Sequence, residues 1–90
     1  LVLDFDPQGN ASSAFGIDRS IIGDKGTIYQ ALIGQMKLSR VIQPTELECL
    51  FVAPATGDLA GAEIELVGAF AREAKLKTAL AEVQNQYDYI

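Results

Sequence analysis

Two short apolar runs, residues 1–5 and 50–53, constrain the fold of this chain more than any other feature. Each has the length of a strand, and each gives way to a proline: Pro7 soon after the first, Pro54 directly after the second. What lies between them is long enough to hold helices, and a crossover of that kind joins parallel neighbours. The nearly continuous apolar character of the first run suits a sheet covered on both faces. A third strand is expected to begin at Tyr87. The resulting order, strand, loop, two helices, strand, two helices, strand, reads as part of an α/β layered sheet.

The helices have recognisable ends. Thr27 followed three residues later by Gln30 fits a capping box, opening a helix through Ile33 that stops at Gly34. Residues 38–43 form a second short helix ended by Pro44. Asp58 is the expected N-cap of a long helix running to about Phe70. Leu59, Leu66 and Phe70 form one stripe of it, and Ala60, Ile64, Val67 and Ala71 the adjacent one. A last helix covers about residues 72–84, with Leu76, Leu80 and Val83 on its apolar face. These stripes read as ordinary core. Residues 6 to about 25 show no sustained period and carry Gly9, Gly16, Gly23 and Gly26, so they are expected to be loop, with at most a helical turn at Ser20-Ile21-Ile22.

The first strand ends in two carboxylates, Asp4 and Asp6, followed by Pro7-Gln8-Gly9-Asn10. Residues two apart on a strand share a face, so both acids are expected to point the same way. Open parallel sheets place their ligands at the carboxyl ends of strands, which is where these acids sit. Like charges this close need a cation, a donor-rich loop or water. A polar site associated with a metal or phosphate fits that pattern, and so does a solvated acidic turn.

Composition removes several classes. Ninety residues make at most one small domain, which buries about 60 to 65% of its unfolded surface. The net charge is −5 with no Lys/Arg cluster, so nothing in this segment supports nucleic-acid binding. No apolar run approaches a membrane span, and no signal-peptide pattern opens the sequence. The single cysteine, Cys49, is expected to be a core or strand-end thiol, there being no His to activate it. Asn10-Ala11-Ser12 is an incidental glycosylation match in a protein taken to be cytoplasmic. The chain begins at Leu1 and ends at Ile90, both inside apparent strands, so it is expected to be a piece of a longer protein.

The stretch Asp-Phe-Asp-Pro-Gln-Gly-Asn-Ala-Ser-Ser-Ala-Phe-Gly-Ile resembles the switch I segment of the ParA/Soj chromosome- and plasmid-partitioning ATPases. Pro54-Ala55-Thr56 with Asp58-Leu59-Ala60-Gly61-Ala62-Glu63-Ile64-Glu65-Leu66 is similar to the same family, and Gln86-Tyr87-Asp88-Tyr89-Ile90 resembles the lead-in to its Walker B strand. The resemblance implies one partial ParA-like domain over residues 1–90, of the AAA_31/CbiA type, within a P-loop NTPase fold of mostly parallel sheet with flanking helices. It implies a parent that dimerises around ATP and Mg²⁺, hydrolyses ATP slowly, and works with a ParB-like centromere-binding protein. Non-specific DNA would be bound through regions outside this chain, on the nucleoid and without a membrane. Asp6 matches the residue that orients or activates the attacking water. Asp4 would line the site near the Mg²⁺ shell, and Gln8, Gly9 and Asn10 would form the loop facing the nucleotide or the partner subunit.

No Gly-x-x-x-x-Gly-Lys-Thr occurs in the sequence, and no Walker B aspartate follows its resembling lead-in. These ninety residues alone are therefore expected neither to bind nor to hydrolyse ATP appreciably. Glu63 and Glu65 differ by roughly 200° around a helix and are not a catalytic pair. Similarity around Gly61 and Ala62 is read as packing, with dimer contacts as the other possibility. The alternatives are a non-catalytic interaction or regulatory module of the same fold and a MinD-like positioning ATPase. A nitrogenase-reductase-like protein would need cluster-ligating cysteines that Cys49 alone does not supply.

Overall fold

The computed structural model describes residues 1–66 and 68–90; the side chains of Glu63, Ala69, Phe70 and Arg72 also lie outside the described set. Its centre is a three-stranded sheet in the order β1-β3-β2. Strand β1 (Val2–Leu3) and β3 (Phe51–Ala53) pair in parallel, Val2 opposite Val52 and Leu3 opposite Ala53. The two apolar runs are thus neighbours, joined by a helical crossover.

The second strand, β2 (Gln43–Pro44), was not expected. It pairs antiparallel with β3, making the sheet mixed rather than parallel throughout. Pro44 closes the preceding helix α4 (Leu38–Val41) earlier than the sequence suggested and enters the sheet at its edge, where a missing N–H is tolerated. The hairpin between β2 and β3 is closed by the Thr45 N–H donating to the Leu50 carbonyl at 3.2 Å. Cys49 stands in that hairpin loop at φ 62°, exposed and two residues before β3, so of the two places expected for it, core or strand end, it is not in the core.

Side-chain alternation sorts the core onto both sheet faces. Leu1, Leu3 and Ala53 pack with α3 (Ile28–Leu32), α4, α5 (Leu59–Glu65) and α6 (Ala69–Ala81) around Ile28, Leu38, Val41 and Val83. Val2 and Val52 face the other way, onto Phe15, Ile17 and Ile22. Ile28, Val41, Val52 and Val83 are wholly buried, each stabilising the fold by about 1.5 to 3 kcal/mol relative to exposure.

Residues 6–25 are not loop throughout. They hold α1 (Asn10–Ala14), α2 (Arg19–Ile22) and a single 3-10 turn at Gly23–Lys25. Both helices are too short to show an apolar period, and Asp18 caps the second through Ser20 and Ile21 N–H. The capping box of Thr27 and Gln30 opens α3 as expected. Asp58 precedes α5 but makes no side-chain cap. Its carboxylate is occupied by Thr27, Gln30 and Thr56.

The long helix expected from residue 59 ends at Glu65, and Gly68, at φ 96°, separates it from α6. That last helix starts at Ala69 rather than 72 and stops at Ala81. Leu59 and Leu66 are buried as their stripe requires, whereas Ala60 and Ile64 of the adjacent stripe are exposed. The assignments of Val67 and the Phe70 side chain lie outside the described residues. Leu76 and Leu80 pack on the core with Val83. Residues 87–90 are not a strand; a 3-10 turn at Gln84–Gln86 precedes them, Tyr87 packs edge-on against Phe51 of β3 with ring centroids 5.7 Å apart, and the Leu1 amino group donates to the Tyr89 carbonyl at 2.9 Å. No described helix is long and apolar enough to cross a membrane.

Candidate functional site

The acids at the end of β1 occupy different environments. Asp4 lies on the Val2 face of the strand and is 2% exposed. Its Oδ2 accepts the Ser12 hydroxyl at 2.6 Å and the Ser12 N–H at 2.8 Å, while Oδ1 accepts the Asp6 N–H at 2.9 Å. The donor-rich loop that such a pair of carboxylates needs is the turn itself. Asp6 is only partly buried. Its carboxylate accepts the N–H of Gln8 at 2.9 Å and of Asn10 at 3.3 Å, so it ties the turn to the first residue of α1.

Behind this turn stands the segment that follows β3. The Ala55 N–H donates to Ser12 Oγ at 3.1 Å. Gly9, at φ 67°, lies against the carbonyl of the same residue, where a Cβ would stand 2.7 Å from the Ala55 oxygen. Only glycine satisfies both the left-handed backbone and that approach. Gln8 and Asn10 are exposed on the outer side of the turn. Gln8, Gly9, Ser13, Arg19, Thr56 and Gly57 line a polar cleft of about 450 Å³.

Next to this cleft, the Asp58 carboxylate gathers the loop after β3 onto α3. It accepts the Thr27 hydroxyl at 3.2 Å, Gln30 Nε2 at 3.2 Å and the Thr56 hydroxyl. Of the residues around the site, Asp4, Asp6 and Gly9 come together with Ala55 as one unit. Ser12 and Asp58 were missed as site residues by sequence reasoning, although both lie inside the two quoted motif blocks. A hydroxyl two residues into a helix carries no local signal of a partner eight residues earlier in the chain. Ala62 is buried as the packing reading requires. Gly61 is not under that constraint, since a Cβ there would meet Glu65 and Tyr29 only at ordinary distances of 3.7 and 4.0 Å.

Among the described residues no three His, Cys, Asp or Glu side chains gather to hold an ion. Both Asp4 oxygens already accept protein donors.

Residues 1–90 match the AAA_31 family model, described as an AAA domain. The chain belongs to the AAA_31 family. It is 49% identical over its full length to the chromosome partitioning protein ParA of Myxococcus xanthus, covering 31% of that protein. It is 46% identical, again over its full length, to the sporulation initiation inhibitor protein Soj of Bacillus subtilis, covering 35%. The chain thus spans about a third of the length of the curated relatives it matches. Among solved structures, cobyrinic acid a,c-diamide synthase from Mycobacterium smegmatis, with a bound ATP analog and magnesium, superposes with a TM-score of 0.85 at 33% identity. That match covers 98% of this chain and 35% of the synthase. The ParA/Soj resemblance and the α/β, P-loop-type fold expected from the motifs are borne out by the family match, these relatives and this structure.

Proposed function

We propose that these residues are the switch I portion of a partitioning ATPase of the ParA/Soj kind, with Asp6 as the group that orients the attacking water. The observation that carries this reading is the placement of the Asp6 carboxylate, partly exposed at the carboxyl end of β1 on a turn braced by Ala55. Phosphoryl transfer needs in-line positioning of the nucleophile more than covalent help. Water attacks the γ-phosphorus, the bond to the bridging oxygen breaks, and ADP leaves with that oxygen. Asp6 holds the water by one of its protons and can receive it. Gln8 and Asn10 are exposed on this loop, where their contacts would differ between ATP and ADP states. Asp4 holds the turn in this scheme and would line the site near the Mg²⁺ shell of the parent protein.

The parent protein would supply the phosphate loop and the Mg²⁺ ligands, dimerise with ATP, and meet DNA and a ParB-like partner in the cytoplasm through surfaces outside these residues. The ninety residues alone would be inactive, because nothing in them cradles the β- and γ-phosphates. The test is ATP turnover and ATP binding by the full-length protein and its Asp6→Ala variant, with and without DNA. Lost turnover with binding retained supports the reading. Equal turnover in both returns Asp6 to an acidic turn, and no turnover in either favours a non-catalytic module. Mg²⁺-dependent turnover by residues 1–90 alone would overturn the expected inactivity.

A further inference from the structure

A single buried hydroxyl joins the strand carrying Asp4 to the loop after β3. Ser12 Oγ donates to Asp4 Oδ2 at 2.6 Å and accepts the Ala55 N–H at 3.1 Å. An ionised carboxylate only accepts and a backbone N–H only donates, so the direction of both bonds is fixed. Ser12 and Asp4 are each 2% exposed and Ala55 is 3% exposed, so water does not compete for these groups. From Asp4 the connection continues through Oδ1 to the Asp6 N–H at 2.9 Å. Among the described residues this N–H is the hydrogen bond that ties the Asp6 backbone to the strand side. Among the described residues the carboxylate of Asp6 accepts only the N–H groups of Gln8 and Asn10, two and four residues on.

We infer that Ser12 is a positioning residue for Asp6, acting through Asp4, and that it sets where the Asp6 carboxylate stands relative to the Ala55 segment. This rests on the proposed role of Asp6 in orienting water. Without the Ser12 hydroxyl, Asp4 loses one of its three donors and the Ala55 N–H loses its acceptor. The buried carboxylate is then free to tilt, and the Asp6 N–H it holds tilts with it. A displacement of an ångström at a group that aligns a nucleophile is enough to slow the reaction while leaving nucleotide binding in place.

The experiment compares wild type, Ser12→Ala, Ser12→Thr, Asp6→Ala and Val41→Ala in the full-length protein that carries these residues. Val41, wholly buried in α4, serves as a core destabilisation away from the turn. Three quantities are read: turnover at saturating ATP, the Kd of a fluorescent ATP analogue, and amide exchange at Gln8 and Asn10. Ser12→Ala is expected to lower turnover about tenfold to a hundredfold, with Kd within about twofold of wild type. Exchange at Gln8 and Asn10 should quicken in the same variant. Ser12→Thr, which keeps the hydroxyl, should restore most of both, and Val41→Ala should lower the Tm without either effect.

The inference is overturned if Ser12→Ala turns over like wild type while Asp6→Ala does not. It is equally overturned if Ser12→Thr fails to restore turnover, if Val41→Ala reproduces the loss, or if Ser12→Ala does not fold. Normal turnover in Asp6→Ala overturns the proposed function instead. In that case amide exchange at Gln8 and Asn10 still decides whether Ser12 holds the turn.

Discussion

Gly9 lies so near the Ala55 carbonyl that a single added carbon would stand 2.7 Å from its oxygen. The backbone there is also left-handed, at φ 67°. Gly9→Ala therefore meets two separate obstacles, and the obstructing atom is backbone, which cannot rotate away. Gly16 has a similar backbone, φ 77°, with nothing within 4 Å of its would-be Cβ. Gly16→Ala should cost about 1 to 2 kcal/mol from conformation alone. Gly9→Ala should cost more, about 2 to 4 kcal/mol. Urea unfolding of the two variants isolates the steric part, and equal losses would mean that the Ala55 contact does not constrain the turn.

Removing the Asp4 carboxylate strands three donors in a site that water does not reach. Asp4→Ala should destabilise by about 3 kcal/mol or more, since each buried donor left without an acceptor carries its own desolvation penalty. Asp4→Asn keeps the shape but replaces one acceptor by an amide that can only donate, so it should fall between wild type and Asp4→Ala. Denaturant midpoints of the two variants check the order.

Tyr29 on α3 donates its phenolic hydrogen to Glu65 at the end of α5. That bond pushes the phenol above its ordinary 10.0, aided by burial and by the charges of Glu65 and Asp58. A raised folded-state value means that the native chain holds this proton more tightly than the unfolded one. The contribution is therefore full below pH 10 and is lost as pH rises through the higher folded value. Ultraviolet titration of tyrosinate should show one late phenol, and Glu65→Gln should bring it back toward the ordinary range. An unchanged titration in that variant would reject the pairing.

Asp18 accepts the Ser20 hydroxyl and the N–H groups of Ser20 and Ile21. The Ser20 hydroxyl first, then the Ile21 N–H, hold its carboxyl below the usual 3.8. Here the sign reverses: the contribution is present above pH 3.8 and fades as pH falls through the lower folded value. Carbon-detected titration of the side chain should find the low value in wild type and a return toward 3.8 in Ser20→Ala. α2 should fray in Asp18→Ala at neutral pH, visible as lost amide protection at Ile21 and Ile22.

Much of this was legible in the sequence where partners are close along the chain. The Thr27–Gln30 capping box spans three residues and was read directly. The strand pairing followed from two apolar runs too widely separated for a hairpin. What escaped was set by distant partners. Asp58 looked like a helix cap because an acid before Leu59 usually is one, yet Thr27 and Gln30, far upstream, occupy its carboxylate. α1 has only five residues, too few for a period, and its start is fixed by Asp6 and Gly9. β2 was hidden because a strand of two residues ending in proline has no apolar signature. The site was half visible. The acids and the glycine turn announced themselves, but Ser12 did not, because its role depends on the Ala55 peptide across the sheet.

The parallel register of β1 with β3 also fixes when the site can exist. The pairing joins residues 2–3 to residues 52–53, with every element from α1 to β2 lying in the loop it closes. Closing a long loop is entropically slow, and pairings between distant residues form late relative to local ones. The cap of α3 and the turn between β2 and β3 are contacts between residues close along the chain. Asp4, Ser12 and Ala55 cannot meet until the two parallel strands do. A nascent chain with its helices formed and its strands still apart therefore has no back wall for Gly9 and no anchor for Asp6. Assembly of the sheet and organisation of the acidic turn are one kinetic event.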